Sequence, residues 1–252
     1  IVTSGIDKAS FDCSSIGVNN VTLAGVDQSS NKGICVAQVT VTDPIKPVAL
    51  CKNATANLNA DGTLILAGSV INNGSSDNCT ITLSTSPGSF NCANIGLNTV
   101  TLKVTDNAGN LSSCSAKVTI KDVTAPVALC KNSTIYLNDV GQATLSAAQV
   151  NNGSSDACGI ASISLSKTAF NCSDIPGSAQ SVILTFKDVN NNSSTCIAQV
   201  TTRDVNAPVA VCENTSVQLG ANGMATVYGA NLAGDSYDNC SVYAYSPVAK
   251  VY

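Results

Sequence analysis

The sequence predicts an all-β chain built from tandem immunoglobulin-like β-sandwich repeats of about 80 residues, disulfide-stapled and arranged as an extended rod. Three observations predict it: cysteines at recurring intervals, apolar residues alternating with period two, and a polar loop that returns three times. The loop reads NNGSSDNC from position 72, NNGSSDAC from 151 and, in worn form, GDSYDNC from 234.

The cysteines supply the ruler. Cys51, Cys79, Cys92 and Cys114 are spaced by 28, 13 and 22 residues, and Cys130, Cys158, Cys172 and Cys196 by 28, 14 and 24. Sixteen residues lead from Cys35 to Cys51, from Cys114 to Cys130 and from Cys196 to Cys212. Cys212 and Cys240 open a further unit, and Cys13 and Cys35 close an earlier one. The expected domains are a C-terminal half-repeat over 1–43, complete repeats over 44–122 and 123–204, and an N-terminal half-repeat over 205–252. Aspartates keep step with this register. Asp43, Asp122 and Asp204 each precede a proline (Pro47, Pro126, Pro208) by four residues. Asp27, Asp106 and Asp188 lie eight before a cysteine, and Asp77, Asp156 and Asp238 lie two before one.

Within a repeat the apolar period is two. Val100, Leu102 and Val104 alternate with Thr99, Thr101 and Lys103, and Cys114, Ala116, Val118 and Ile120 alternate with Ser115, Lys117 and Thr119. The next repeat does the same with Val182, Leu184 and Phe186, then Cys196, Ala198 and Val200. Such alternation marks half-buried antiparallel strands. DNAGN (106–110) and DVNNN (188–192) read as the joining turns, because Gly and Asn accept positive φ. LNADGTL (58–64), LNDVGQA (137–143) and LGANGMA (219–225) signal a second hairpin. Each junction, such as VTIKDVTAPVALC (118–130), has a proline and no Gly/Ser tract, so the chain should pass extended from one repeat to the next.

Composition narrows the function class. With Lys+Arg 12 against Asp+Glu 16, a net charge of −4 and no basic run, the chain lacks the cationic surface that nucleic acid requires. The longest apolar run, LILAGSVI (64–71), is far below the ~20 residues of a membrane span. No signal peptide or lipidation motif is visible, and Ile1 falls in mid-pattern, so a piece of a longer protein is expected. The 12 cysteines occur without any histidine or CxxC pair, which favours disulfides over zinc and places the chain outside the reducing cytosol.

The half-repeats at the two ends favour local pairing: Cys13–Cys35, Cys51–Cys79, Cys92–Cys114, Cys130–Cys158, Cys172–Cys196 and Cys212–Cys240. Pairs across a junction, of the Cys35–Cys51 type, remain open at this stage. Either way the cross-links matter. A unit this small, with aromatics at only 4%, has little core to live on.

Catalysis is not expected. There is no histidine, the cysteines are accounted for by pairing, and the aspartates recur identically in each repeat as scaffolds do. Two readings compete for those aspartates. One is junctional Ca2+ held by Asp43, Asp77 and Asp106, by Asp122, Asp156 and Asp188, and by Asp204 and Asp238. The other makes them turn formers that accept backbone N–H bonds. Sequons such as Asn53-Ala-Thr55 and Asn132-Ser-Thr134 arise by chance in a chain so rich in Asn, Ser and Thr.

PVALCKN, NNGSSDNC, FNCANIG, NTVTLKVTDNAGN and SSCSAKVTIKD, in that order, resemble hyalin-repeat (HYR)-like modules. More closely, the string is similar to the tandem repeats of giant surface adhesins of gliding Bacteroidetes, the SprB-type gliding-motility adhesins. The resemblance covers essentially the whole chain. GDSYDNC, DVNNN and DQSSN (27–31) depart from the pattern. The resemblance implies type IX secretion and display as a long extracellular filament, attached to the outer membrane through other parts of the parent protein. It implies partners among extracellular surfaces or polysaccharide, besides neighbouring repeats of the same chain. Two rivals stand beside this adhesive role: a discrete glycan- or protein-binding module, and an accessory β-sandwich of a secreted hydrolase.

Overall fold

The computed structural model describes residues 3–175, 177 and 179–241, and the chain divides into two compact units, Ile1–Thr124 and Ala125–Tyr252. Residues 242–252 of the last expected half-repeat lie outside the described residues. In the first unit β1 (Thr3–Ile6), β2 (Gly17–Val26) and β3 (Lys32–Val41) form an antiparallel sheet in the order β1-β2-β3. β4 (Ala54–Asn57), β5 (Thr63–Ile65), β6 (Ile81–Ser86), β7 (Ser89–Asn91), β8 (Gly96–Asp106) and β9 (Leu111–Lys121) follow. They make one sheet in the order β4-β9-β8-β6 and a second from β5 and β7, with the one-turn helix α1 (Gly68–Ile71) between β5 and β6. The second unit repeats this plan with β10 (Ser133–Tyr136), β11 (Gln142–Thr144), α2 (Ala147–Val150), β12 (Ile160–Leu165), β13 (Ala169–Asn171), β14 (Gln180–Asp188) and β15 (Ser193–Arg203). Its sheets are β10-β15-β14-β12 and β11-β13, and α3 (Gly229–Leu232) follows. The fold is all-β, as the alternation predicts.

The long hairpin β8–β9 sets the core. Its register pairs Leu102 with Cys114, Val100 with Ala116 and Asn98 with Val118, and directly paired residues share a face. Val100, Leu102, Val104, Ala116, Val118 and Ile120 are accordingly buried, while the intervening residues face outward. Leu58, Leu66, Ile71 and Phe90, from the other sheet and its connections, are buried too. In the second unit Ile135, Leu145, Val150, Phe170, Val182, Leu184, Phe186, Ala198 and Val200 form one cluster. Each buried Val, Leu, Ile or Phe among them contributes about 1.5–3 kcal/mol relative to exposure, so a few dominate a core this small.

The second expected hairpin is real as a turn but not as a hairpin. Asn59 N–H donates to Thr63 O at 2.8 Å, closing LNADGTL, yet the flanking strands part. β4 runs parallel to β9, and β5 runs antiparallel to β7. β10 and β11 part in the same way around LNDVGQA. The turn therefore carries the chain from one sheet to the other, because two sheets must close over one core. Period-two alternation is the same whichever sheet a strand joins.

The local disulfide scheme is overturned in all six pairs. The structure bonds Cys13 to Cys79, Cys51 to Cys114, Cys130 to Cys196 and Cys172 to Cys240. Cys92 and Cys158 are disulfide-bonded as well, whereas Cys35 and Cys212 are free and exposed. Strand direction is the reason. Cys114 sits opposite Leu102, and Cys92 precedes Gly96, six positions along the same strand. At ~3.3 Å per residue they lie ~20 Å apart or more, against the ~7 Å limit between Cα atoms of a disulfide. The same geometry separates Cys172 from Cys196 and Cys13 from Cys35. Cys51 bridges Asn72 while Val48 bridges Ser76, so the antiparallel run carries Cys79 away from Cys51, as it carries Cys158 from Cys130 and Cys240 from Cys212. Cys51 instead meets the facing Cys114 across the sandwich, with Cα atoms 5.9 Å apart.

Two outcomes follow. Replacing Cys51 and Cys114 together by Ala opens a loop of 63 residues and should lower stability by about 4 kcal/mol in a denaturant titration. Leu102→Ala, at a position with no exposed surface, should cost about 2–5 kcal/mol in the same measurement.

Candidate functional site

The aspartates fall into two populations with different surroundings. The first closes the long hairpins. Asp106 accepts the Asn110 backbone N–H on Oδ1 and the Asn110 side-chain amide on Oδ2, both at 2.8 Å. Asp188 holds Asn192 in the same way at 2.8 Å, and Asp27 holds Asn31. The residue before that Asn takes positive φ in each turn: Ser30 at 66°, Gly109 at 91° and Asn191 at 72°. DQSSN and DVNNN therefore keep the two residues that matter in DNAGN, the first Asp and the last Asn. The Asn was missed at the sequence level, although its constant place four residues after the Asp was visible there.

The second population gathers where strands leave one sheet and enter the next repeat. In the first unit Asp43, Asp77 and Cys79 bring ligand-type atoms within 4.8 Å of one another. Cys79 offers no thiolate, because it is bonded to Cys13. Asp43 Oδ1 accepts the Ile45 N–H at 3.0 Å, and its Oδ2 accepts the Asn78 side-chain amide at 3.0 Å. Asp77 Oδ2 accepts the Cys79 N–H at 3.0 Å, while Asp77 Oδ1 is buried with no partner. The Asn110 amide also reaches Asp43 O at 2.8 Å and Ile45 O at 3.0 Å, tying the Asp106 turn to this group.

The second unit builds the same group again. Asp204 Oδ1 accepts the Asn206 N–H at 3.0 Å and the Asn239 side-chain amide at 3.1 Å. Asp238 Oδ2 accepts the Cys240 N–H at 3.3 Å, and Asp238 Oδ1 is again buried and unpartnered. Gly141, at φ +71°, lets this loop approach; a Cβ there would stand 2.8 Å from Asn239 O. Asp122 caps its own turn by accepting the Thr124 N–H at 2.9 Å, and Asp156 accepts the Cys158 N–H at 2.9 Å and the Gly159 N–H at 3.0 Å.

A buried carboxylate oxygen without a donor is costly unless a cation completes it. Carboxylate, amide and backbone oxygens are also the donor set that Ca2+ prefers. The hairpin aspartates have no such vacancy. For Asp106 burial pushes the carboxyl up, but bonds from the Asn110 side chain and from backbone N–H groups outweigh it and hold the value below the usual 3.8. For Asp27 the Asn31 side chain leads, followed by its backbone N–H, with the same result.

A scan against models of known protein families and a search of curated proteins gave no match. Among solved structures, the protocadherin gammaB7 EC3-6 cis-dimer is similar at 16% identity, with 86% of this chain and 65% of that chain covered and a TM-score of 0.31. Drosophila N-cadherin EC1-4 gives 12%, 74%, 57% and 0.31 in the same order, and a three-Ig structure of titin domains gives 12%, 74%, 75% and 0.33. Likeness at this level carries no argument about what the chain binds or does.

The carboxyls of Asp27 and Asp106 are depressed in the folded chain, so the stability they bring is present above 3.8 and drains away as pH falls through their lower folded values. Asp106→Asn should therefore melt below the native chain at neutral pH. The gap between the two should close well below pH 3.8 in thermal melts followed by circular dichroism.

Proposed function

We propose that this chain is a structural and adhesive repeat segment of a long extracellular surface filament, of the gliding-motility or attachment adhesin kind. The observation that carries this reading is the pairing of two kinds of cross-link with a shear-loaded sheet. β4, which enters the repeat, lies parallel to β9, which leaves it, so pulling the chain loads their hydrogen bonds lengthwise and together once Cys51–Cys114, which otherwise carries the load past β4, is open. Cys51–Cys114 bonds the sandwich across itself, and Cys13–Cys79 bonds it to the neighbouring half-repeat. The second unit reproduces both, as Cys130–Cys196 and Cys172–Cys240. Such a chain resists extension. A glycan reader or a hydrolase accessory domain has no need of covalent ties between successive repeats. The similarity to gliding adhesin repeats supports the finer assignment, including type IX export and anchorage at the cell surface.

A second element of the reading is Ca2+ at Asp43 with Asp77 and at Asp204 with Asp238. It is favoured by the buried, unpartnered Oδ1 of Asp77 and of Asp238. The ion would satisfy both orphan oxygens and stiffen the loops that carry them.

Single-molecule stretching tests the load-bearing role. Reduction should release more than the 63-residue span between Cys51 and Cys114, hence more than about 220 Å of extra contour at ~3.5 Å per residue, because Cys13–Cys79, Cys130–Cys196 and Cys172–Cys240 open with it. Equal extensions with and without reductant would leave the stalk reading without support. Calorimetry tests the cation. Ca2+ should bind the native chain and raise its melting temperature, and Asp77→Asn with Asp238→Asn should abolish both effects.

A further inference from the structure

Deamidation of asparagine uses the chain itself: the backbone nitrogen of the next residue attacks the side-chain amide carbon and closes a succinimide ring. Glycine in that next place removes the side chain that would obstruct the attack, so Asn-Gly is where this thermolabile residue is most easily lost. The chain holds three such pairs, Asn73-Gly74, Asn152-Gly153 and Asn222-Gly223. The sequence treats them alike, and the structure separates them.

Asn73-Gly74 and Asn152-Gly153 occupy one place in the polar loops of the two complete repeats, and all four residues are exposed. In each loop the first asparagine is used and the second is not. Asn72 Oδ1 accepts the Ser75 N–H at 2.9 Å, and Asn151 Oδ1 accepts that of Ser154 at 3.0 Å. The side chains of Asn73 and Asn152 and the N–H groups of Gly74 and Gly153 make no hydrogen bond among the described residues. Both glycines hold positive φ, 85° and 79°, with nothing within 4 Å of where a Cβ would stand. The attacking nitrogen and the amide carbon are therefore both open. Asn222-Gly223 is closed on both counts. Gly223 N–H donates to Gly220 O at 2.9 Å, and Asn222 Oδ1 accepts the Met224 N–H at 3.1 Å. The matching turn of each complete repeat closes in the same way, from Gly62 to Asn59 O and from Gly141 to Asn138 O, both at 2.9 Å.

We propose that Asn73 and Asn152 are self-modifying sites, each converted through a succinimide with its following glycine into isoaspartate or aspartate, while Asn222 is spared. The Gly74 nitrogen gives its proton to solvent and bonds to Asn73 Cγ; the Cγ–Nδ2 bond breaks, and the leaving nitrogen takes a proton from water and departs as ammonia. Water then opens the ring. Breaking the new bond to Cγ restores the ordinary main chain and leaves aspartate, whereas breaking the bond to the main-chain carbonyl carbon of Asn73 leaves isoaspartate. One water is consumed and one ammonia released at each site, and no oxidant or second substrate enters. Each event adds one negative charge to the loop. Isoaspartate also adds a methylene to the main chain between two anchors on one residue. Asn73 N–H donates to Leu50 O at 2.8 Å, and Ser75 Oγ accepts the Leu50 N–H at 2.9 Å. Asn152 and Ser154 hold Leu129 in the same way, at 2.9 Å and 2.8 Å. Lengthening the chain between them loosens the loop from the segment that carries Cys51 or Cys130 into its repeat. The adhesive role is not used.

The test ages the native chain in mildly alkaline buffer made with heavy-oxygen water. Its digest is mapped by mass spectrometry, with isoaspartate told from aspartate by electron-transfer fragmentation. Labelled product should accumulate at Asn73 and Asn152 at least about tenfold faster than at Asn222, the factor that releasing one hydrogen bond of ordinary net strength costs. In urea with reductant, where the Asn222 turn is open, the three rates should converge. The aged native chain should melt below the fresh one. A chain carrying Asn73→Ser and Asn152→Ser should keep both its mass and its melting temperature over the same period. Native rates at Asn222 that match those at Asn73 and Asn152, native loops inert at sites that react in urea, continued mass gain in the double variant, or an aged chain that melts with the fresh one would each overturn the proposal.

Discussion

The ladder between the two long strands of each repeat is the constraint from which the rest of the architecture follows. Once Leu102 lies opposite Cys114, Val100, Val104, Ala116 and Val118 fall on one face and must be covered. The same ladder sends Asp106 to one end of the sheet and Asp122 to the other, because the two strands run antiparallel over their whole length. Turn chemistry is set at one end and junction chemistry at the other. A one-residue slip would turn every core residue outward and carry Cys114 away from Cys51.

The cross-links then compensate for what the core lacks. With few aromatics and only three-residue strands forming the second sheet, apolar burial alone leaves little margin. Cys51–Cys114 and Cys130–Cys196 tie the first and last parts of a repeat together, so they close long loops and restrict the unfolded chain strongly. Cys13–Cys79 and Cys172–Cys240 act at the ends, fastening a 3-10 turn to the polar loop that follows the next strand entry. That polar loop is thus a docking element for its neighbour as well as a turn.

The aspartates show how one residue type serves two purposes at two ends of a sheet. At the hairpin end the carboxylate meets enough N–H groups to use both oxygens, and it is complete without an ion. At the junction end the loop supplies donors to one oxygen and buries the other. Asp77 and Asp238 repeat that imbalance in separate units, so it belongs to the repeat and not to one accidental loop.

Local chemistry was legible in the sequence by itself. Period two in NTVTLKVTD dictates strands, DNAGN dictates a tight turn, and the cysteine spacing dictates the repeat, since each depends only on neighbours along the chain. Asp43 and Asp77 were also readable as neighbours, because hairpin direction alone brings them to one end. The cysteine pairing, the partition of β4 and β5 between two sheets, and the burial of one oxygen of Asp77 were decided only by tertiary structure. A disulfide is chosen by which Cβ atoms face each other across the core, and sequence distance carries no information on that. Cys51 finds Cys114 at a separation of 63 and passes over Cys79 at 28, because facing sheets bring together residues that the chain order keeps apart.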